Sequence, residues 1–144
     1  MKKSTRNIRY LVVHCSATPE GRDHTAKDIA LWHKQRGFNE IGYNYIVRLD
    51  GTVELGRDVN KIPAHVTNHN KDSIGICYIG GIDKKNLQPK DTRTPAQKEA
   101  LKKLLTELKA LYPEAEILGH RDFPGVAKAC PCFNAKDEYK SISK

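Results

Sequence analysis

Apolar and polar positions follow two different periods along this chain, and the switches between them mark its elements. IRYLVVHCSA, residues 8–17, is a nearly continuous apolar and β-branched run, the pattern of a strand covered on both faces, with His14 near its carboxyl end. TAKDIALWHKQRG then changes to helical spacing. Ile29, Trp32 and His33 share a face, Thr25 and Asp28 form a capping pair, and Gly37 is a natural stop. His33 reads as a structural residue of that helix. GYNYIVRLDGTVELGR predicts a hairpin around Asp50-Gly51, a dipeptide that takes positive φ at little cost, with Tyr43, Tyr45, Val47 and Leu49 on one side.

SIGICYIGG predicts a central strand in which Cys77 is a packed small side chain. The clearest helix opens at TPAQ: Thr94 caps, Pro95 takes the first helical position, and Gln97 completes the capping box. Leu101, Leu104, Leu105, Leu108, Leu111 and Tyr112 keep the 3.6-residue period until Pro113 ends it. AEILGH is a last short strand leading into His120. The order β, α, β, β, β, α, β predicts an α/β fold, a mixed central β-sheet packed with α-helices. With 144 residues and no repeat or linker, residues 1–144 are expected to form a single domain without an appended module.

Composition narrows the classes further. No apolar run approaches the roughly 20 residues needed to cross a bilayer. The basic start MKKSTRNIRY followed by apolar residues has the outline of a secretory leader, but Tyr10–Val13 is about half the usual minimum length and ends in His14 and Cys15. A strand is expected there, and synthesis in the cytoplasm without a leader. Reduced thiols follow, so the four cysteines read as metal ligands or buried small hydrophobes. The formal charge of +8 favours polyanionic partners, whether nucleic acid or an anionic wall polymer. Lysines such as those of ALKKLLTELKAL occupy the polar side of a helix, so a solvated face is preferred to a nucleic-acid site.

The stretch HRDFPGVAKACPC, residues 120–132, is too rich in proline and glycine for a helix and too rich in chemistry for a mere link. His14 and His120 each close an apolar strand, and Cys130 follows on a loop able to fold back. Two imidazoles and a thiolate are ligands zinc prefers, and three protein ligands leave a fourth position for chemistry. Spacing alone makes this a moderate signal, because neither CxxC nor HExxH is present.

Read together, LVVHCSATP, RGFNEIGYNYIVRLDGTVELGR, AHVTNHNKDSIGICYIGG, TPAQ and GHRDF…KACPCF resemble the N-acetylmuramoyl-L-alanine amidase family of the phage T-seven lysozyme type, kin to the peptidoglycan recognition proteins. The resemblance runs in order from about Arg9 to Phe133. It implies one zinc ion held by His14, His120 and Cys130, a catalytic tyrosine at Tyr43, a catalytic lysine at Lys128, and a substrate cleft lined by His65 and Asn70. It also implies the reaction, cleavage of the amide between the muramoyl lactyl group and L-alanine in peptidoglycan. Such an enzyme needs an activated water and a partner for the oxyanion, which Lys128 and the Tyr43 hydroxyl suit. No glutamate in the matched motifs offers itself as general base.

Two departures stand out: Asn44 where relatives commonly have a second histidine, and Cys132 as a spare thiol, read here as a bystander. Cys15 is expected to face away from His14. The implied partner is peptidoglycan, met by a monomer at the cell wall after release or export. Three other uses stay open: a peptidoglycan-binding protein without catalysis, a basic surface for an acidic partner or a polymerase as in certain phage amidases, and a thiol hydrolase pairing Cys130 with His120.

Overall fold

The computed structural model describes residue 1 and residues 3–126 and 129–142. Along the chain these form β1 (Tyr10–Cys15), β2 (Thr18–Pro19), α1 (Ala26–Gln35), β3 (Tyr45–Val47), β4 (Val53–Leu55), β5 (Ser73–Tyr78), β6 (Gly81–Ile82), α2 (Pro95–Leu111), β7 (Glu116–Gly119) and α3 (Ala135–Glu138), with a 3₁₀ turn at His120–Asp122. The main sheet runs β4-β3-β5-β1-β7. β1 is parallel to both β5 and β7, β3 is parallel to β5, and only β4 runs against its neighbour. This is the mixed sheet with helices that the apolar pattern predicts. The two-residue strands β2 and β6 and the single-turn α3 were not predicted, being too short to show a period.

Because β1 and β5 are covered on both faces, their alternate residues build two different cores. Leu11, Val13, Ile74, Ile76 and Tyr78 meet Leu101, Leu104, Leu105 and Leu108 of α2. Each of these leucines is at most 3% exposed, and burying one contributes about 1.5–3 kcal/mol. On the opposite face Ile46, Cys77 and Ile79 meet Ile29 of α1, while Val12, Leu118, Val66 and Phe123 close a smaller cluster beside β7. His14 rises from that second face, between the two clusters. Cys15 points the other way and is 5% exposed.

Local chemistry fixes both long helices. Thr25 and Asp28, and again Thr94 and Gln97, make reciprocal capping boxes. Gln97 is fully buried and its amide also donates to the carbonyls of Val47 and Ile79, which seats the start of α2 on the ends of β3 and β5. α1 ends in a Schellman turn: Gly37 at φ +95° donates to Lys34 O, and Phe38 N–H donates to His33 O.

The hairpin differs from expectation in two ways. Only Gly51 of the Asp50-Gly51 pair has positive φ, because Gly51 N–H closes a four-residue turn onto Arg48 O and the glycine then takes the left-handed position alone. The expected common face of Tyr43, Tyr45, Val47 and Leu49 is also divided. β3 is three residues long, so alternation holds for Tyr45 and Val47, which face α2. Tyr43 and Leu49 lie outside the strand and pack toward α1.

Candidate active site

The pairing of parallel strands places the two histidines. Val13 stands opposite Gly119, so His14 and His120 are the next residues on adjacent strands at their carboxyl ends, and their rings lie 4.5 Å apart. Asp122 Oδ2 accepts from Gly119 N–H and starts the turn that carries His120. The chain returns when Arg121 N–H donates to Cys130 O. Cys130 Sγ then accepts from Cys15 N–H at 3.2 Å and sits 3.9 Å from His14 Nδ1.

The donor atoms of His14, His120 and Cys130 thus all lie within 4.8 Å of one another. Three donors at zinc-bond lengths of about 2.0–2.3 Å stand roughly 3.5 Å apart in a tetrahedron, so modest side-chain movement would close this set on a metal ion. His14 is buried while His120 and Cys130 are half-buried, leaving the group open on one side. That side is a cleft of about 920 Å³.

Tyr43 forms part of the cleft wall. It follows Gly42, whose N–H donates to His33 Nδ1 at 2.8 Å, so the histidine of α1 anchors the approach to it. The Tyr43 ring lies 4.9 Å from His14 and 5.3 Å from His33. Burial, reinforced by the nearby thiols of Cys77, Cys130 and Cys15, raises the phenol well above its ordinary pKa and keeps it a proton donor. Burial, with help from Arg36 and Arg57, pushes His33 down to about 4, consistent with a neutral ring accepting from Gly42. Lys128 lies outside the described residues.

His65 and Asn70 both line the cleft. Asn70 Oδ1 accepts from the N–H groups of His65 and Val66, and so shapes the turn that presents the histidine. His65 stands 4.8 Å from His14, ring to ring. Burial, followed by the influence of His120, Arg6 and Arg57, takes its pKa down to about 3. Asn44 is 1% exposed and belongs to the frame, not to the cleft: its amide donates to Arg57 O while its oxygen accepts from Gly75 N–H. Cys132 Sγ lies 3.3 Å from Gly81 O and 4.0 Å from Cys15 Sγ, on the α2 side of the sheet, outside the group formed by His14, His120 and Cys130.

The sequence reading missed Arg36, His69 and Phe123, which also line the cleft. Arg36 follows α1 directly, where a basic residue reads as a helix-end charge. His69 and Phe123 meet only through folding, 4.9 Å apart, and no spacing signals that contact. Among the described lining residues there is no aspartate or glutamate.

Fold and site together define an α/β enzyme whose metal-type donor set opens into a substrate cleft. The sequence matches the N-acetylmuramoyl-L-alanine amidase family over residues 4–133, and the chain belongs to that family. It is 45% identical over 126 residues to the endolysin of Klebsiella phage KP32, a match covering 88% of this chain and 82% of that one. The endolysin of Escherichia phage T7 is 40% identical over 134 residues, covering 93% and 87%. Among solved structures, the endolysin N-acetylmuramoyl-L-alanine amidase LysCS from Clostridium intestinale URNW superposes with a TM-score of 0.77 at 28% identity, covering 98% of this chain and 87% of that one.

Proposed function

We propose that this amidase holds one zinc ion through His14, His120 and Cys130 and hydrolyses the amide between the N-acetylmuramoyl lactyl group and L-alanine of peptidoglycan, as a cell-wall lytic enzyme of the phage or prophage endolysin kind. One observation carries the metal part of the reading: two imidazoles and one thiol converge within 4.8 Å at the floor of an open cleft. The donor set fits zinc, which takes nitrogen and sulfur ligands and, in catalytic sites, three from the protein. When bound, zinc polarises the scissile carbonyl and acidifies water toward a pKa of about 7.

The chain's own groups do the rest. Tyr43 keeps its proton through burial and donates a hydrogen bond to the oxygen on which negative charge develops. Lys128, two residues before Cys130, brings positive charge to the same oxygen. With no carboxylate among the described cleft residues, proton movement falls to imidazole and phenol groups. The absence of acidic side chains among the described cleft residues also suits a peptide that carries carboxylates of its own. Residues 1–144 act as one catalytic domain, a monomer that reaches the wall after release or export.

The test joins metal content to bond cleavage. Elemental analysis is expected to find about one zinc per chain, and purified peptidoglycan is expected to yield free L-alanine amino groups that a chelator abolishes. His14→Ala loses both. Full zinc content in His14→Ala, or cleavage indifferent to chelators, defeats the assignment.

A further inference from the structure

Behind the donor group runs a line of hydrogen bonds with no part in the scheme above. His14 turns Nδ1 toward Cys130 Sγ, 3.9 Å away, and Nε2 toward His65 Nδ1, 2.7 Å away. His65 Nε2 in turn lies 2.8 Å from Ser73 Oγ, and that hydroxyl lies 3.5 Å from Asn70 O. Arg6 secures the far end by donating from Nη1 to the carbonyls of Ser73 at 2.9 Å and Lys71 at 3.1 Å. Gly75 gives the His65 ring its place, since a Cβ there would stand 3.0 Å from the imidazole.

Two ring nitrogens 2.7 Å apart share one proton, so the line has a direction. A nitrogen that binds a metal ion must present its lone pair. With His14 Nδ1 on the Cys130 side, the ring's proton belongs on Nε2 and is donated to His65 Nδ1. His65, neutral, then carries its own proton on Nε2 and donates it to Ser73 Oγ. The opposite direction would put a proton on His14 Nδ1, aimed at the place a cation must occupy.

We propose that His65, braced by Ser73, is a positioning residue that fixes the tautomer and ring plane of His14 so that Nδ1 faces the metal. This rests on the zinc reading above and gives His65 a role distinct from contact with substrate. Partners that orient a ligand imidazole in this way typically account for about 10- to 100-fold in metal affinity.

Two measurements test it. Long-range ¹H–¹⁵N correlation on the metal-free wild-type protein reads imidazole tautomers directly, and both His14 and His65 are expected to carry their protons on Nε2. A proton on His14 Nδ1 overturns the proposal, and this result needs no variant to fold. Zinc competition against a chromophoric chelator is expected to give His65→Ala an affinity about 10- to 100-fold weaker than wild type. His65→Asn, whose Oδ1 can stand in for Nδ1 as acceptor, recovers most of that loss. A wild type that takes up no zinc removes the zinc reading and this one with it, whereas equal zinc affinity in wild type and His65→Ala removes only this one.

Discussion

Cys130 and Cys132 stand two positions apart and face different surroundings. The sulfur of Cys130 meets His14, while that of Cys132 meets Gly81 O and Cys15, and a hydrogen bond with Cys15 together with burial pushes the Cys132 thiol well up. A tetrahedral centre with a fourth protein ligand would be structural and closed to substrate. Cys132→Ser is therefore expected to keep zinc and turnover, and Cys130→Ser to lose most of both. The reverse pattern in metal analysis and amine release would make Cys132 the ligand. Tyr43 offers a sharper dissection, because its hydroxyl is separable from its ring. Tyr43→Phe is expected to fold, to retain zinc and to lose about a hundredfold or more in kcat, the usual cost of one oxyanion donor. Near wild-type turnover in that variant would assign the donor elsewhere.

The elements differ in how openly the sequence announces them. α1 and α2 carry period, cap and stop together, and their caps form at Thr25 and Thr94, the residues that the pattern singles out. β1 and β5 are equally plain as apolar runs. Less legible is how those elements share out a face. Tyr43 and Tyr45 look equivalent in GYNY, yet they pack on opposite sides because the strand begins between them. Asn44 looks like a lost cleft residue and is instead a buried stitch between β5 and the hairpin. The contact between His14 Nε2 and His65 Nδ1 is hidden for the same reason: it depends on which loop lies over Gly75, and spacing along the chain carries no trace of it.

Gln97 couples the two kinds of information, being a capping residue by sequence and a sheet fastener by position. Removing its amide leaves the carbonyls of Val47 and Ile79 without that donor in a dry interior and weakens the cap of α2. Gln97→Ala is expected to cost about 2–3 kcal/mol. Thermal unfolding should show a drop of several degrees with the site's zinc affinity retained, and an unchanged Tm would mean that water replaces the amide.

Taken whole, the molecule sets a formal charge of +8 around a cleft whose described lining contains no carboxylate. Charge of one sign gathers an oppositely charged polymer and does so less well as salt screens it. Raising ionic strength from about 0.05 to 0.5 M, which shortens the Debye length from roughly 14 to 4 Å, is expected to raise KM on peptidoglycan while kcat stays nearly constant. A salt-independent KM would show that the lysines are only a solvated coat.

Val13 and Gly119 pair across more than a hundred residues of sequence, so the candidate centre draws on both ends of the chain. During synthesis at about 5–20 residues per second, His14 emerges several seconds before His120 and Cys130, its partners on and just beyond the neighbouring strand. A nascent chain, or a fragment left by interrupted translation, has at most one of the three donors until β7 has been made. If these three residues hold the proposed metal, a wall-degrading enzyme is inert for most of its synthesis, and a product that stops short of Cys130 is expected to show neither zinc binding nor amine release.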